Sequence, residues 1–341
     1  MEGEGSMRRS RLRRGYVRRR IVFYLVTLWV AVTINFVIPR LMPGNAVDAL
    51  FIRMHGKLSP SLMRPLEVEF GIHLHEGMLQ EYWHYLVNLS HGDLGISITY
   101  FPTPVSTVLG TALPWTLGLV GTATVIAFVL GTWVGIIIGW RRTSVWDSVV
   151  PPVAMFTSAF PYFFFGLLLL YVFGFLLGWF PIGGAFGFGN PPRLSISSIL
   201  DIVYHAFLPA LAMVATLIGT WILTMRNNMI AVLREDYVLM AVAAGLPERE
   251  VLHRYVVRNA ILPSLTGFAM ALGFVVGGAI LTEIVFSYPG VGYVMLQAVE
   301  NQDYPLLQAI LLVISVGVLL ANFAVDMLYG RLDPRASSQG V

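Results

Sequence analysis

The sequence predicts an all-α polytopic membrane protein with six transmembrane helices, and three observations carry the prediction. Of 341 residues, 56% are hydrophobic and only 12% are charged, about half the roughly 25% charge of a soluble domain. The mean hydropathy is +0.72. Charge-free stretches of membrane-spanning length recur six times, with basic residues gathered on one side of them. So little charge could not cover a soluble domain of this size, and a disordered chain needs low hydrophobicity. Cysteine is absent, which excludes a disulfide scaffold, a thiolate metal site, an iron–sulfur cluster and a cysteine nucleophile.

Residues 1–20 form a basic tail with eight arginines between Arg8 and Arg20. Residues 21–38 follow without a charge, long enough to cross at about 1.5 Å per residue. That run ends on Pro39-Arg40 and lacks the small-residue cleavage pattern of a signal peptide. The reading is a first span over 21–39 whose basic end is cytoplasmic. Residues 40–111 form an outer segment in which Glu67, Glu69, Glu76 and Glu81 alternate with Phe70, Leu74, Leu79, Tyr82, Trp83 and Leu86. This mixture suggests short amphipathic helices packed on the membrane domain. A core over 112–333 then holds five spans, near 113–140, 149–178, 204–225, 264–285 and 306–329, with a cytoplasmic loop over 227–262. Residues 334–341 are a C-terminal tail. With both termini inside, seventeen basic residues are cytoplasmic and five are outside, the bias expected of an even number of crossings. This distribution, not nucleic acid, accounts for the pI near 9.2.

Small residues recur four apart at Gly131, Gly135 and Gly139 and at Gly273 and Gly277, a spacing that lets helix backbones approach closely. Two readings stay open, packing inside one bundle or an interface between subunits. Charges near the spans are few. Glu283 lies at the outer end of the fifth and Asp326 at the inner end of the sixth, each a functional carboxylate or an organiser of a helix end. The outer segment holds His55, His73, His75, His84 and His91; His73-x-His75 could ligate a metal or be solvated, and no metal site is assigned.

The cytoplasmic loop is the most informative segment. Ala241, Ala243 and Ala244 favour helix, and Gly245 is the usual residue just past a helix end. Pro247 suits the first position of a new helix, and Glu248 and Glu250 suit its first turn. Glu250 and Arg254 stand at i and i+4. Pro263 is expected to stop the run before the next span. The product is a short charged helix outside the membrane, read either as an ordinary amphipathic loop or as a docking knob for a cytoplasmic partner.

This loop resembles the coupling loop of permease subunits in ATP-binding-cassette importers, in the dipeptide/oligopeptide/nickel branch. Asp236, Tyr237, Ala241, Ala243, Gly245, Leu246, Val251, Arg258, Asn259, Ala260 and Pro263 fit the branch pattern. The glutamate that names the wider loop is missing, and Leu239 occupies that offset. Further motifs follow the family's order along the chain: Pro43-Gly44-Asn45, Gly92-Asp93-Leu94-Gly95 with Ser97, Leu113-Pro114, Leu208-Pro209-Ala210, the turn from Glu283 to Gly292, Asp303-Tyr304-Pro305 and Asp333-Pro334. Some stretches look closer to oligosaccharide importers, so the implied solute is an oligopeptide or an oligosaccharide.

The resemblance implies a type I importer permease fold with an outer helical segment between spans one and two, in the inner membrane of a prokaryote. It implies a second homologous permease, two cytoplasmic ATP-binding subunits, an extracytoplasmic solute-binding protein and the lipid bilayer as partners, and no nucleic acid. This chain would bind no cofactor; ATP and magnesium belong to the partner subunits. It implies ATPase coupling through Ala241, Ala243, Gly245, Leu246, Pro247, Glu248, Glu250, Val251, His253, Arg254, Arg258 and Pro263. Outer turns and gate candidates are Glu283, Tyr288, Pro289, Gly290, Gly292 and Asp303. No catalytic residue is assigned: the sequence holds no Walker A, His-Glu-x-x-His or Gly-x-Ser-x-Gly motif. An ion-coupled secondary transporter is the alternative class, disfavoured because no span carries an acid at mid-depth.

Overall fold

In the computed structural model, residues 2–41, 77–187, 189, 191–277 and 279–332 are described. Among them the regular elements are helical: α1 (Glu2–Leu41), α2 (Met78–Ser90), α3 (Val105–Trp140), α4 (Val145–Ala159), α5 (Tyr162–Leu176), α6 (Ile196–Val232), α7 (Asp236–Ala243), α8 (Glu248–Phe274), α9 (Ile280–Val285), α10 (Val291–Glu300) and α11 (Tyr304–Leu332). Most of the outer segment, including His55, His73, His75 and the acids before residue 77, lies outside the described residues. Among the described residues five helices are long and apolar enough to cross a membrane, and the bent pair α4–α5 brings the number to six when counted as one span. The chain divides into two units, residues 1–114 with 291–341 and residues 115–290.

In the first unit α1 packs on α11. Beside the basic stretch of α1, Arg20 pairs with Asp326 at 3.0 Å, and the Tyr24 hydroxyl donates to the same carboxylate at 2.6 Å. Asp326 is thus a helix organiser. At the opposite end of α1 Arg40 donates to Glu81 of α2 at 2.9 Å while its guanidinium lies 3.6 Å from the Phe36 ring centre. Phe36 in turn meets Tyr82 and Tyr85, so the amphipathic outer helix is docked by its aromatic face. The helix α1 runs unbroken from Glu2 through the basic tail into the first span. A core of Val105, Leu109, Val294, Ala298, Leu306 and Ile310 joins the start of α3 to α10 and α11.

In the second unit the glycine stripe of α3 faces α6. A Cβ added at Gly131, Gly135 or Gly139 would lie 2.6, 2.7 or 2.7 Å from the Cβ of Trp221, Met225 or Met229. The three glycines therefore serve packing inside the bundle. Residues 147–187 climb the same helix in order. Asp147 pairs with Arg226 at 2.7 Å, Ala154 abuts Gly219, and the Ser158 hydroxyl donates to the Thr216 carbonyl at 3.2 Å. Higher up, Gly166 faces Ala212, Phe180 stacks on Phe207, and the Gly187 N–H donates to Asp201 at 2.8 Å. This monotonic register runs antiparallel to α6 over its length. The pair α4–α5, bent by 92°, is therefore one crossing and not a re-entrant loop.

Two expectations are corrected. Pro263 does not stop a helix: it lies exposed inside α8, which runs from the cytoplasmic loop into the fifth span without a second break. Proline removes a single backbone donor and membrane helices tolerate it where neighbouring turns adjust. Here a π-helical stretch, Val251–Val257, precedes it. The fifth span is itself not continuous to residue 285, because α8 ends at Phe274 and a 3₁₀ turn, Val275–Gly277, leads to the short α9.

Candidate functional site: the cytoplasmic loop and the outer turns

The loop is held from beneath by apolar packing. Val238 and Ala241 of α7 and Val251, Val256 and Ala260 of α8 are buried with Met225 and Met229 of α6. Val238 and Ala241 stand three apart, so one narrow face of α7 is covered. The helix then ends in a Schellman motif: the Gly245 N–H donates to the Val242 carbonyl at 3.0 Å and the Leu246 N–H to the Ala241 carbonyl at 3.3 Å. Gly245 has φ +75 with nothing within 4 Å of an added Cβ. Its requirement is conformational, not spatial. Leu246 packs back on the loop core, as the motif's usual apolar contact does.

Pro247 is the N-cap of α8, one position earlier than the sequence suggested. Its carbonyl accepts from the Glu250 and Val251 N–H groups at 2.9 and 3.1 Å. Glu248 and Glu250 occupy the first turn. The Arg254 guanidinium donates to Glu250 at 3.0 Å, and His253 Nδ1 lies 2.8 Å from the Arg249 carbonyl. Of the residues singled out from sequence, Ala241 and Val251 are buried supports and Leu246 is half-buried, as is Glu250. Ala243, Gly245, Pro247, Glu248, His253, Arg254, Arg258 and Pro263 are exposed. Sequence reasoning missed the apolar side of this surface: Leu239, Met240 and Val242 of α7 are exposed as well. It also missed the brace beside the loop, formed by the Asp147–Arg226 pair and by Arg142, which donates to the Ile230 carbonyl at 2.9 Å. An acid just before the third span followed by an arginine at the end of the fourth was the available signal.

The outer candidates fall into two groups, one in each unit. In the second unit Glu283 is completely buried, and the site of a Cβ on Gly290 is occupied by its carboxylate. Gly290 is thus required by space. The Tyr288 N–H donates to the Glu283 carbonyl at 2.8 Å, and the Tyr288 ring lies edge-on to Trp115 at 5.9 Å. Burial, helped by the Glu283 carboxylate, pushes the Tyr288 phenol up to about 12, so it stays a neutral hydroxyl. The preceding Phe286 carbonyl accepts from the Gly184 N–H at 2.9 Å, tying this turn to the loop after α5.

In the first unit Asp303 is also completely buried. It accepts from the Ser97 hydroxyl at 2.5 Å, the Thr99 N–H at 2.8 Å and the Leu306 N–H at 3.1 Å. One carboxylate therefore caps α11 and fixes the loop that carries the Gly-Asp-Leu-Gly motif. In that loop Gly92 and Gly95 have positive φ and Asp93 accepts from the Gly95 N–H at 2.9 Å. Gly292 is buried in α10.

Apolar helices long enough to cross a membrane, a braced loop in the second unit and turns locked by buried carboxylates in each unit are the parts of a polytopic membrane protein. Residues 131–338 match the family described as binding-protein-dependent transport system inner membrane component, and the chain belongs to that family. It is 32% identical to the di/tripeptide transport system permease protein DppB of Pseudomonas aeruginosa over 95% of this chain and 99% of that one. It is 31% identical to the oligopeptide transport system permease protein AppB of Bacillus subtilis, over 94% and 98%. It is also 31% identical to the glutathione transport system permease protein GsiC of Escherichia coli O6:H1, over 94% and 97%. The protein is a multi-pass permease subunit of a binding-protein-dependent importer and not an enzyme, the membrane part of an assembly with ATPase and binding-protein components. These relatives lend no support to an ion-coupled transporter or to an oligosaccharide solute.

Proposed function

We propose that this chain is half of the translocation path of an ATP-driven importer of short peptides. The observation that carries the coupling role is the loop geometry. A Schellman turn at Gly245 presents Pro247 to Arg254 on a braced surface that continues without interruption into the fifth span. An ATPase seated on that surface pushes directly on α8, and hence on a membrane-spanning helix. The proposed assembly holds a second homologous permease, two ATPases that bind ATP and magnesium, and an external solute-binding protein. Both termini are cytoplasmic in a prokaryotic inner membrane. Glu283, Tyr288, Pro289 and Gly290, and separately Gly292 and Asp303, shape the outer turns through which the solute enters.

Peptide is the solute that the names of these relatives carry, and it is the solute proposed for this chain. The test is uptake into vesicles of the assembled importer, with internal ATP and with labelled tripeptide or trisaccharide outside. ATP-dependent accumulation of the tripeptide alone is expected. Trisaccharide uptake would overturn the solute assignment, and uptake driven by an ion gradient without ATP would overturn the class of coupling.

A further inference from the structure

The break between α4 and α5 falls midway along the α6 crossing. Ser158 reaches the Thr216 carbonyl, and Thr216 stands ten residues from Arg226 and eleven from His205, the polar positions toward either end of α6. That is roughly 15 Å from each at the helical rise, half of a hydrocarbon core about 30 Å thick. At this depth α4 ends on Ala159, and Phe160 and Pro161 are both extended, with ψ 138 and 136. Pro161 has no N–H to give the Thr157 carbonyl, and the last carbonyls of any helix lack intrahelical donors. Ala159 and Pro161 are exposed on the surface of this chain, as are Phe156 and Phe164, which flank Phe160 at ring distances of 4.9 and 6.2 Å.

Irregular backbone facing lipid does not occur in the hydrocarbon region; it is tolerated only against protein or a water-filled cavity. A helix of a partner permease could cover these carbonyls with side-chain donors alone, because its own N–H groups are consumed internally. Water and an extended peptide both bring surplus donors. Resting on the peptide-importer reading, we propose that the Thr157–Pro161 break lines the aqueous path and contacts the peptide in transit. The carbonyls of Thr157, Ser158 and Ala159 accept peptide N–H groups, and the flanking phenylalanines receive apolar side chains. Main-chain acceptors serve every peptide sequence, and aromatic faces accommodate side chains of many shapes.

The chain contains no cysteine, so Ala159→Cys places a single thiol at the break in an otherwise silent subunit. The experiment uses the assembled importer in vesicles, with a charged, membrane-impermeant maleimide as reagent and a mixture of tripeptides with the binding protein as competitor. Labelling is followed on this subunit with and without ATP. The thiol is expected to react in at least one of the two states. Tripeptide at about ten times its dissociation constant should slow that reaction about tenfold, since the free fraction falls as one plus that ratio. No labelling in an importer that still transports would overturn the proposal, as would labelling indifferent to peptide. Failure of the unsubstituted importer to take up tripeptide would instead overturn the underlying solute reading, and the peptide contact with it. Water access is read from labelling alone.

Discussion

Gly245 sits at φ +75 with open space where a side chain would go, whereas at Gly290 the Glu283 carboxylate already fills that space. The two glycines therefore fail differently when substituted. Gly245→Val should strain the turn by an order of 1–2 kcal/mol, too little to unfold a bundle but enough to redirect the start of α8. Expected are normal insertion and thermal stability, weakened co-purification of the ATPase and lost uptake; wild-type association would show that the loop is only a linker. Glu250→Ala removes an exposed ion pair with Arg254, typically worth less than about 1 kcal/mol, so its defect should be much milder. Gly290→Ala forces a methyl group into a filled site, an overpacking of about 1–3 kcal/mol. Its signature should be a lower melting midpoint of the purified protein with ATPase association intact. An unchanged midpoint would mean that the Glu283 side chain moves aside freely. Gly245 was legible in the sequence because its cause is local, a helix end two residues before a proline. Gly290 was legible only as part of a motif, since the carboxylate that demands it is placed by the fold.

Helices were legible where hydropathy alone decides them and illegible where proline does. Pro114, Pro209 and Pro263 lie inside α3, α6 and α8, and Pro151 and Pro152 lie inside α4, yet Pro161 marks a 92° bend. The apolar run through that bend carries no sign of it, because lipid and protein interior reward the same side chains. Nor could local reasoning join Ser97 to Asp303, whose motifs were recognised separately and which meet only in the fold. The glycine stripe was legible as close packing, but its partner helix was not. With α6 now known to face it, a prediction follows for the pair. A Cβ on Gly135 would stand 2.7 Å from the Met225 Cβ and 2.8 Å from the Ile222 carbonyl oxygen. Neither atom is the flexible end of a side chain, so the helices must separate to admit it. Gly135→Ala should lower the melting midpoint and Gly135→Val should lower it further, with loss of folded protein in detergent. A small-residue stripe that faced only another subunit would leave the isolated chain's stability untouched, and equal midpoints for all three proteins would favour that arrangement.

The proposed topology places the two ends of the chain on one side of the membrane, and two independent lines support it. The seventeen-to-five distribution of basic residues favours a cytoplasmic tail under the positive-inside rule. Packing supplies the other line. Arg20 and Asp326 pair at the end of α1 that carries the basic tail, while Arg40, at the opposite end of α1, pairs with the outer helix α2. α11 starts at Tyr304 beside the buried Asp303 and reaches Asp326 near its last turns, so it runs antiparallel to α1. An even number of crossings joins two such helices. The register of residues 147–187 along α6 makes α4–α5 one of those crossings, which brings the total to six; were the pair a re-entrant loop, everything after it would change sides. Reporter fusions after Arg142 and Arg249 should therefore report cytoplasm, and fusions after Pro192 and Glu300 the outside. The fusion at Pro192 decides most, because it follows the bent pair directly and precedes α6. A cytoplasmic signal there, with Arg142 also cytoplasmic, would make α4–α5 re-entrant, remove the mid-depth break from the path and place the loop at Gly245 on the face away from any ATPase.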